Sequence, residues 1–312
     1  MSLFRRVRRL FPSREPVSPS PVRIVTDSTA DLPPELAAEL DITVVPLQVL
    51  FGEESFRDGV DLTNEQFFQR LGESSQLPTT SQPSLGEFQA VYEELATGTD
   101  RVLSIHLSSG FSGTAECARQ AAAALAGRCR IEVIDSETVS MALGFAVLAA
   151  AHAARDGSDL EACAQVARSV LARQRLAIAL DTLEYLRRGG RIGRAQAFLG
   201  NVLRLKPILT IRDGEAYPLT RVRTRRKALD EIVRISVESG RLERATVMHT
   251  TTPDDADYVA QEISRRYPEI DVRIGQLGPV IGVHGGPGTI GLAIVLAEEQ
   301  VSTEETQGEA PV

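Results

Sequence analysis

Apolar positions recur along the chain with two spacings, and their alternation predicts an α/β protein. β-branched runs read as strands at Val22–Thr26, Ile42–Leu50, Arg101–Leu107 and Arg130–Ile134. Helical spacing falls between them. One helix is opened by Pro33 and Pro34 and runs to Leu40, and others cover Asn64–Leu71, Gly86–Leu95 and Ser112–Leu125. A long Ala-rich helix then runs to Ala154. Asp156-Gly157-Ser158-Asp159 combines turn and N-cap chemistry, so a domain boundary is expected there. A second set follows, with strands at Leu176–Leu180, Ala245–His249 and Asp271–Gln276. Its helices cover Leu160–Ala172, Thr224–Ser239 and Asp254–Tyr267, and two short ones flank Gly189-Gly190. Ile208–Ile211 and Glu215–Leu219 are expected to form a hairpin across the Asp213-Gly214 turn. The run Ile290–Leu296 is too short for length to separate strand from helix, and its β-branched content leans to strand. The pattern therefore implies two α/β domains with mainly parallel sheets, at 22–157 and 158–299.

Composition narrows the functions open to such a chain. The 312 residues carry a formal net charge of −8 and no Trp, which disfavours a general nucleic-acid binder. Cys117, Cys129 and Cys163 form no C-x-x-C pair, and the four His residues form no zinc-helix pattern, so no metal site is expected. The expected compartment is the reducing cytoplasm. No apolar run approaches the ~20 residues needed to span a bilayer. Residues 1–21 form a basic extension, expected to be disordered, in which Leu3, Phe4, Val7, Leu10 and Phe11 can oppose Arg5, Arg6, Arg8 and Arg9. That pattern also fits a peripheral contact with anionic lipid. Residues 300–312 read as a disordered acidic tail.

Candidate chemistry collects where ligands sit in parallel sheets, beyond the carboxyl ends of strands. Three segments fall there: Asp27-Ser28-Thr29-Ala30-Asp31, Ser108 to Thr114, and Asp135-Ser136-Glu137-Thr138. Thr79 to Ser84 forms a hydroxyl-rich loop between the first two. Ser109, Ser112 and Gly113 precede a predicted helix, whose free N–H groups favour an anion. Plain N-capping by Ser explains the same pattern equally well. The stretch Gly110 to Thr114 comes close to the G-x-S-x-G nucleophile elbow, with Thr in place of the last Gly. With Asp135 or Asp181 and His284 it would complete the chain order of a serine hydrolase. His284 lies among closely spaced Gly and Pro, where the backbone approaches something tightly. Two basic clusters, Arg187, Arg188, Arg191 and Arg194, then Arg221, Arg223, Arg225, Arg226 and Lys227, suit either phosphate or an acidic partner.

Taken together these stretches resemble the DegV family. The matching text is IVTDSTADLP at 24–33, TSQPS at 80–84, HLSSGFSGT at 106–114, VIDS at 133–136, LEYLRRGGRIG at 183–193, LKPILTIRDG at 205–214 and GPVIGVHGGPG at 278–288. The resemblance covers residues 22–298 and implies a long-chain fatty acid held between or beside two domains. It implies the binding subunit of a bacterial fatty-acid kinase, not catalytic alone and without a cofactor. A separate ATP-dependent subunit would phosphorylate the bound acid to an acyl phosphate for phospholipid synthesis. Thr80 and Ser112 would bond the carboxylate, with Ser81, Ser109 and Gly113 close by and His284 next to the reacting carboxyl. Arg191 and Arg223 would meet the phosphate or the partner. The chain departs from the family pattern after His284, where Gly285 stands in place of a Thr-like residue, and in its basic arm. Two alternatives remain on the residues alone: an esterase using Ser112 and His284, and a non-catalytic lipid-dependent regulator.

Overall fold

The computed structural model describes residues 22–199 and 205–298. The basic segment and the acidic tail singled out in the sequence lie outside them. The first half runs β1 (Val22–Asp27), α1 (Pro34–Glu39), β2 (Ile42–Val45), β3 (Gln48–Phe51), β4 (Glu54–Arg57), α2 (Asn64–Glu73), β5 (Thr79–Ser81), α3 (Leu85–Leu95), β6 (Arg101–His106), α4 (Thr114–Ala124), β7 (Arg130–Asp135) and α5 (Met141–Arg155). Local chemistry sets several helix starts. Thr63 with Gln66 and Ser84 with Glu87 form reciprocal capping boxes for α2 and α3.

β2, β1, β6 and β7 lie side by side in that order, all parallel. The three chemically rich segments therefore leave one edge of the sheet together, as expected. The single strand expected over Ile42–Leu50 is instead two. Pro46 offers no N–H to a ladder, and the chain leaves the sheet there. β3 then forms a separate antiparallel sheet between β4 and β5. β5 carries Thr80, so part of the hydroxyl-rich loop is strand.

The second half runs α6 (Leu160–Arg173), β8 (Gln174–Ala179), α7 (Glu184–Arg188), β9 (Lys206–Arg212), β10 (Glu215–Val222), α8 (Arg225–Glu238), β11 (Leu242–His249), α9 (Pro253–Arg266), β12 (Arg273–Gln276), α10 (Pro279–Gly285) and β13 (Ile290–Leu296). Its sheet has the order β10-β9-β8-β13-β11-β12. The α/β class stands, but strand direction here differs from the parallel expectation. Only β11 and β12 pair in parallel, and the other pairings are antiparallel. Two features cause this. The Asp213-Gly214 turn, with both φ values positive, folds β10 back on β9. β13 then enters last and lies between β8 and β11, antiparallel to both. Every residue of β13 is buried, which explains an apolar run without alternation.

The helices α5 and α6 lie between the two large sheets. Leu143, Ala146 and Ala150 of α5 share one core with Leu103 and Ile105 of β6, Ala164 and Ala167 of α6, and Ala293 and Val295 of β13. Alanine on both helices lets them approach closely, so the core runs unbroken through the turn at Asp156–Asp159. Asp159 caps α6 by accepting the Ala162 N–H at 2.9 Å.

Candidate functional site

A cavity of about 380 Å³ opens where the edge of the parallel sheet meets β8, β9, α7 and α10. That size lies within the range of small-molecule pockets, roughly 300–1,000 Å³. Much of its wall is apolar, including Leu107, Phe111, Val139, Ile178, Leu209 and Ile281. Thr80, Ser112, Arg191 and His284 bring polar groups to the same space. Two larger depressions lie elsewhere, one beside Arg119, Arg128 and Arg130 and one under Met141, Phe145 and Met248, and neither is lined by the residues singled out at the Ser-rich loop, β5 or α10.

Each polar group arrives on a different element. Thr80 sits at the centre of β5, and its Oγ1 is 2.9 Å from His284 Nε2. His284 rides on the last turn of α10, a helix where the sequence suggested only a tight loop. The Nδ1 face of the ring lies against Gly189, where a Cβ would come within 2.4 Å of that nitrogen. Nδ1 is enclosed and has no hydrogen-bond partner. The accessible part of the ring faces the cavity. Burial, and then the nearby Arg191 cation, pull its pKa down to about 4. The imidazole is therefore neutral at pH 7.

Ser112 precedes α4 but does not cap it. The N-cap position belongs to Gly113, and no side chain caps that helix. Ser112 Oγ instead lies 2.8 Å from Thr114 Oγ1 and faces the cavity. Arg191 donates from Nε to the Phe111 carbonyl at 3.1 Å and from Nη1 to the Gly189 carbonyl at 2.8 Å. It thus ties the Ser-rich loop to the α7 segment.

The other residues singled out in the sequence are placed differently. Ser81 lines the cavity at its exposed rim, with its hydroxyl turned to the Gln82 carbonyl. Ser109 is exposed outside the lining, and its N–H is held by the Asp135 carboxylate at 3.2 Å. Gly113 is also exposed, and a Cβ there would meet Gln82 Oε1 at 2.4 Å. Its contribution is therefore room for Gln82. Arg223 is exposed beyond the lining, one residue before the Thr224 cap of α8. Gln82 and Thr289 line the cavity although neither was picked from the sequence. Both stand inside or just after motifs that were recognised there, and that position was the only available signal.

Among the described residues, Ser112 and His284 are not joined into a triad by Asp135 or Asp181. Asp181 is engaged by Lys206 at 2.7 Å and Arg225 at 3.5 Å, and Asp135 by backbone N–H groups. Neither carboxylate orients His284. An Asp-His-Ser chain does exist elsewhere, with Asp27 Oδ2 3.0 Å from His106 Nδ1 and Ser104 Oγ 2.7 Å from His106 Nε2. All three are fully buried, and Tyr92 donates to Ser104 at 2.8 Å. That chain lies wholly inside the core, away from the Ser112 and His284 cavity.

These features define an α/β protein with a largely apolar cavity to which several polar side chains are brought. Residues 21–297 match the family model described as "Uncharacterised protein, DegV family". The chain belongs to the DegV family. Protein DegV of Bacillus subtilis (strain 168) is 38% identical over 275 residues, spanning 87% of this chain and 98% of the relative. Two solved structures superpose closely. A DegV family protein from Thermus thermophilus, described for its fatty acid binding, gives a TM-score of 0.83 at 36% identity, covering 88% of this chain and 99% of that one. DegV of Bacillus subtilis, described as a fatty acid binding protein, gives 0.82 at 36% identity, covering 90% and 100%. Among the described residues no helix is long and apolar enough to cross a membrane, and no His, Cys, Asp and Glu group is arranged for a metal.

Proposed function

We propose that the protein encloses a long-chain fatty acid in this cavity and presents its carboxylate to a separate ATP-dependent kinase subunit. The observation that carries the reading is that Thr80, Ser112 and His284 line one largely apolar cavity, with Thr80 Oγ1 2.9 Å from His284 Nε2. Burying a tail of roughly 14 methylenes contributes about 11 kcal/mol gross, at about 0.8 kcal/mol per CH₂. Ordering the tail and desolvating the head group offset much of this. The head group must therefore find donors, because an unpaired buried carboxylate would cancel the gain. The Thr80 and Ser112 hydroxyls are the side-chain donors within reach, Thr80 oriented by His284, and the uncapped start of α4 favours negative charge beside them.

In the reaction a carboxylate oxygen attacks the γ-phosphorus of ATP, the bond to the ADP oxygen breaks, and an acyl phosphate and ADP result. Neutral His284, bonded through Nε2 to Thr80 Oγ1, orients the Thr80 hydroxyl to donate to the carboxylate without neutralising its charge, so the nucleophile is retained. Arg191 lines the same cavity for the developing phosphate charge, and exposed Arg223 is assigned to the kinase surface. Both structural relatives described above as fatty-acid binding support the ligand class. Native mass spectrometry of the purified protein should show a mass excess equal to one long-chain fatty acid. Protein that carries no lipid and takes up neither palmitate nor oleate would end this reading. Incubation with the partner kinase and ATP should yield acyl phosphate, trapped as the hydroxamate.

A further inference from the structure

The helix that carries His284 has an unusual beginning. Its N-cap residue is Gly278, which has no side chain to offer. The start of α10 is held instead by two carboxyl groups from far along the chain. Asp31 Oδ1 accepts the Gly278 N–H at 2.9 Å, and Asp58 accepts the Val280 N–H. Both groups crowd onto the same point. A Cβ on Gly278 would lie 3.0 Å from Asp31 Oδ1 and 3.5 Å from Asp58 Oδ1. Each carboxyl is itself fixed by a serine. Ser140, at the start of α5, donates to Asp31 Oδ2 at 2.5 Å, and Ser28 donates to Asp58. Along one short helix the carboxyls hold the start, Val280 and Ile281 line the cavity, and His284 lines it at the far end.

We propose that Asp31 and Asp58 are positioning residues for His284, forming a two-carboxyl cap supplied by the first α/β half that fixes α10 in its ligand-holding orientation. The inference rests on the fatty-acid reading above and adds a proton to it. Two carboxyl groups meeting at one helix start, Asp58 buried and Asp31 half-buried, resist ionising together. Burial pushes Asp31 up to about 8 and Asp58 up to about 6, with the negative charge of Asp27 on β1 adding to both. The other groups facing the pair are the Ser28 and Ser140 hydroxyls and the α10 backbone, and none of the described Lys or Arg residues acts on either carboxyl. The cap therefore keeps one proton at pH 7. A group whose folded pKa is raised stabilises the held state at low pH and loses that contribution as pH rises through the folded value. Above pH 8 both carboxyls are ionised, repel each other, and loosen the start of α10.

Titration of fatty-acid affinity against pH tests this in the full-length protein, with cis-parinaric acid as the probe. Wild-type affinity should fall about tenfold between pH 7 and 9.5, a loss within the span that a shift of this direction can supply. Asp31→Asn keeps an acceptor for the Gly278 N–H, cannot ionise, and suits the left-handed backbone of residue 31, φ 51°. It should bind like wild type at pH 7 and hold that affinity at pH 9.5. A flat wild-type profile, or an Asp31→Asn profile falling in parallel, overturns the proposal. His284 itself does not titrate in this range, so its ring signals in NMR read the helix separately from the ligand. They should move between pH 7 and 9.5 in ligand-free wild type and stay in place in Asp31→Asn. Were parinarate to bind at no pH, the fatty-acid reading alone would fail, and unmoved ring signals in wild type would still overturn the cap.

Discussion

At the scale of single residues, the site depends on side chains held neutral or held still. His284 is the first kind. Its depressed pKa means that it contributes stability above the ordinary His value and loses it as pH falls toward about 4. Chemical denaturation at pH 7 and pH 4.5 should therefore show wild type losing on the order of 2 kcal/mol more than His284→Gln. Equal losses in the two proteins would contradict the enclosed, neutral imidazole. Arg225 is the second kind. The basic run containing it suggested a surface for phosphate or an acidic partner. This guanidinium instead bonds Asp255 at 2.8 Å, Thr252 at 3.1 Å and the Gly288 carbonyl at 2.5 Å, and so fixes the segment leading into Thr289. Arg225→Lys cannot reproduce that fork. It should lower stability by about 1–2 kcal/mol, read from a urea midpoint, even though the charge is kept.

At the scale of elements, the sequence was most legible where one residue type has one physical use. The Asp213-Gly214 hairpin, the N-cap at Asp159 and the strand starts at Val22, Ile42, Arg101 and Arg130 fall where the sequence places them, whereas the starts of β8, β9, β11 and β12 in the second half shift by two or three residues. It was least legible where tertiary contacts decide. Thr79–Ser81 reads as loop because three polar residues carry no strand period, and it becomes β5 only because β3 offers an edge. Residues 279–285 read as a tight loop because of their glycines, yet these are sites of close packing in a helix. A Cβ on Gly282 would fall 2.6 Å from the Phe67 ring, and one on Gly286 would fall 2.3 Å from the Tyr185 ring. Gly286 also has φ 76°, in the left-handed region. Gly286→Ala should therefore cost about 1–3 kcal/mol and displace His284. Loss of parinarate binding together with a lowered urea midpoint would be the observed pair. The remote carboxyls on α10 were invisible in sequence, because residues 31, 58 and 278 have no local relation.

At the scale of the whole molecule, the strand-helix alternation fixes the α/β class but says little about strand direction in the second half. A last strand inserted between β8 and β11 has no signature in its own sequence. The cavity has none either, since its walls come from both halves. Two contacts tie the Ser-rich loop to the second half: Arg191 on the Phe111 carbonyl, and Ser108, which donates from Oγ to the Gly214 carbonyl at 2.7 Å. Gly110 packs so tightly on the hairpin tip that a Cβ would lie 2.4 Å from the Gly214 oxygen. A ligand filling this space binds the folded chain alone and so raises its apparent stability. Removing lipid by hydrophobic exchange should lower Tm by several degrees, at about 1 kcal/mol per 2–4 °C for a chain of this size, and adding oleate back should restore it. An unchanged Tm would mean the cavity is not the binding space.

The bond between Thr80 and His284 spans 204 positions. Thr289 lies further along still, and β13 after it completes the second sheet. A nascent polypeptide emerging from the ribosome thus exposes its early hydroxyls long before the imidazole that faces them has been synthesised. A ligand that needs both groups could be held only after residue 284 has been made, and a chain ending before Thr289 would lack part of the cavity wall.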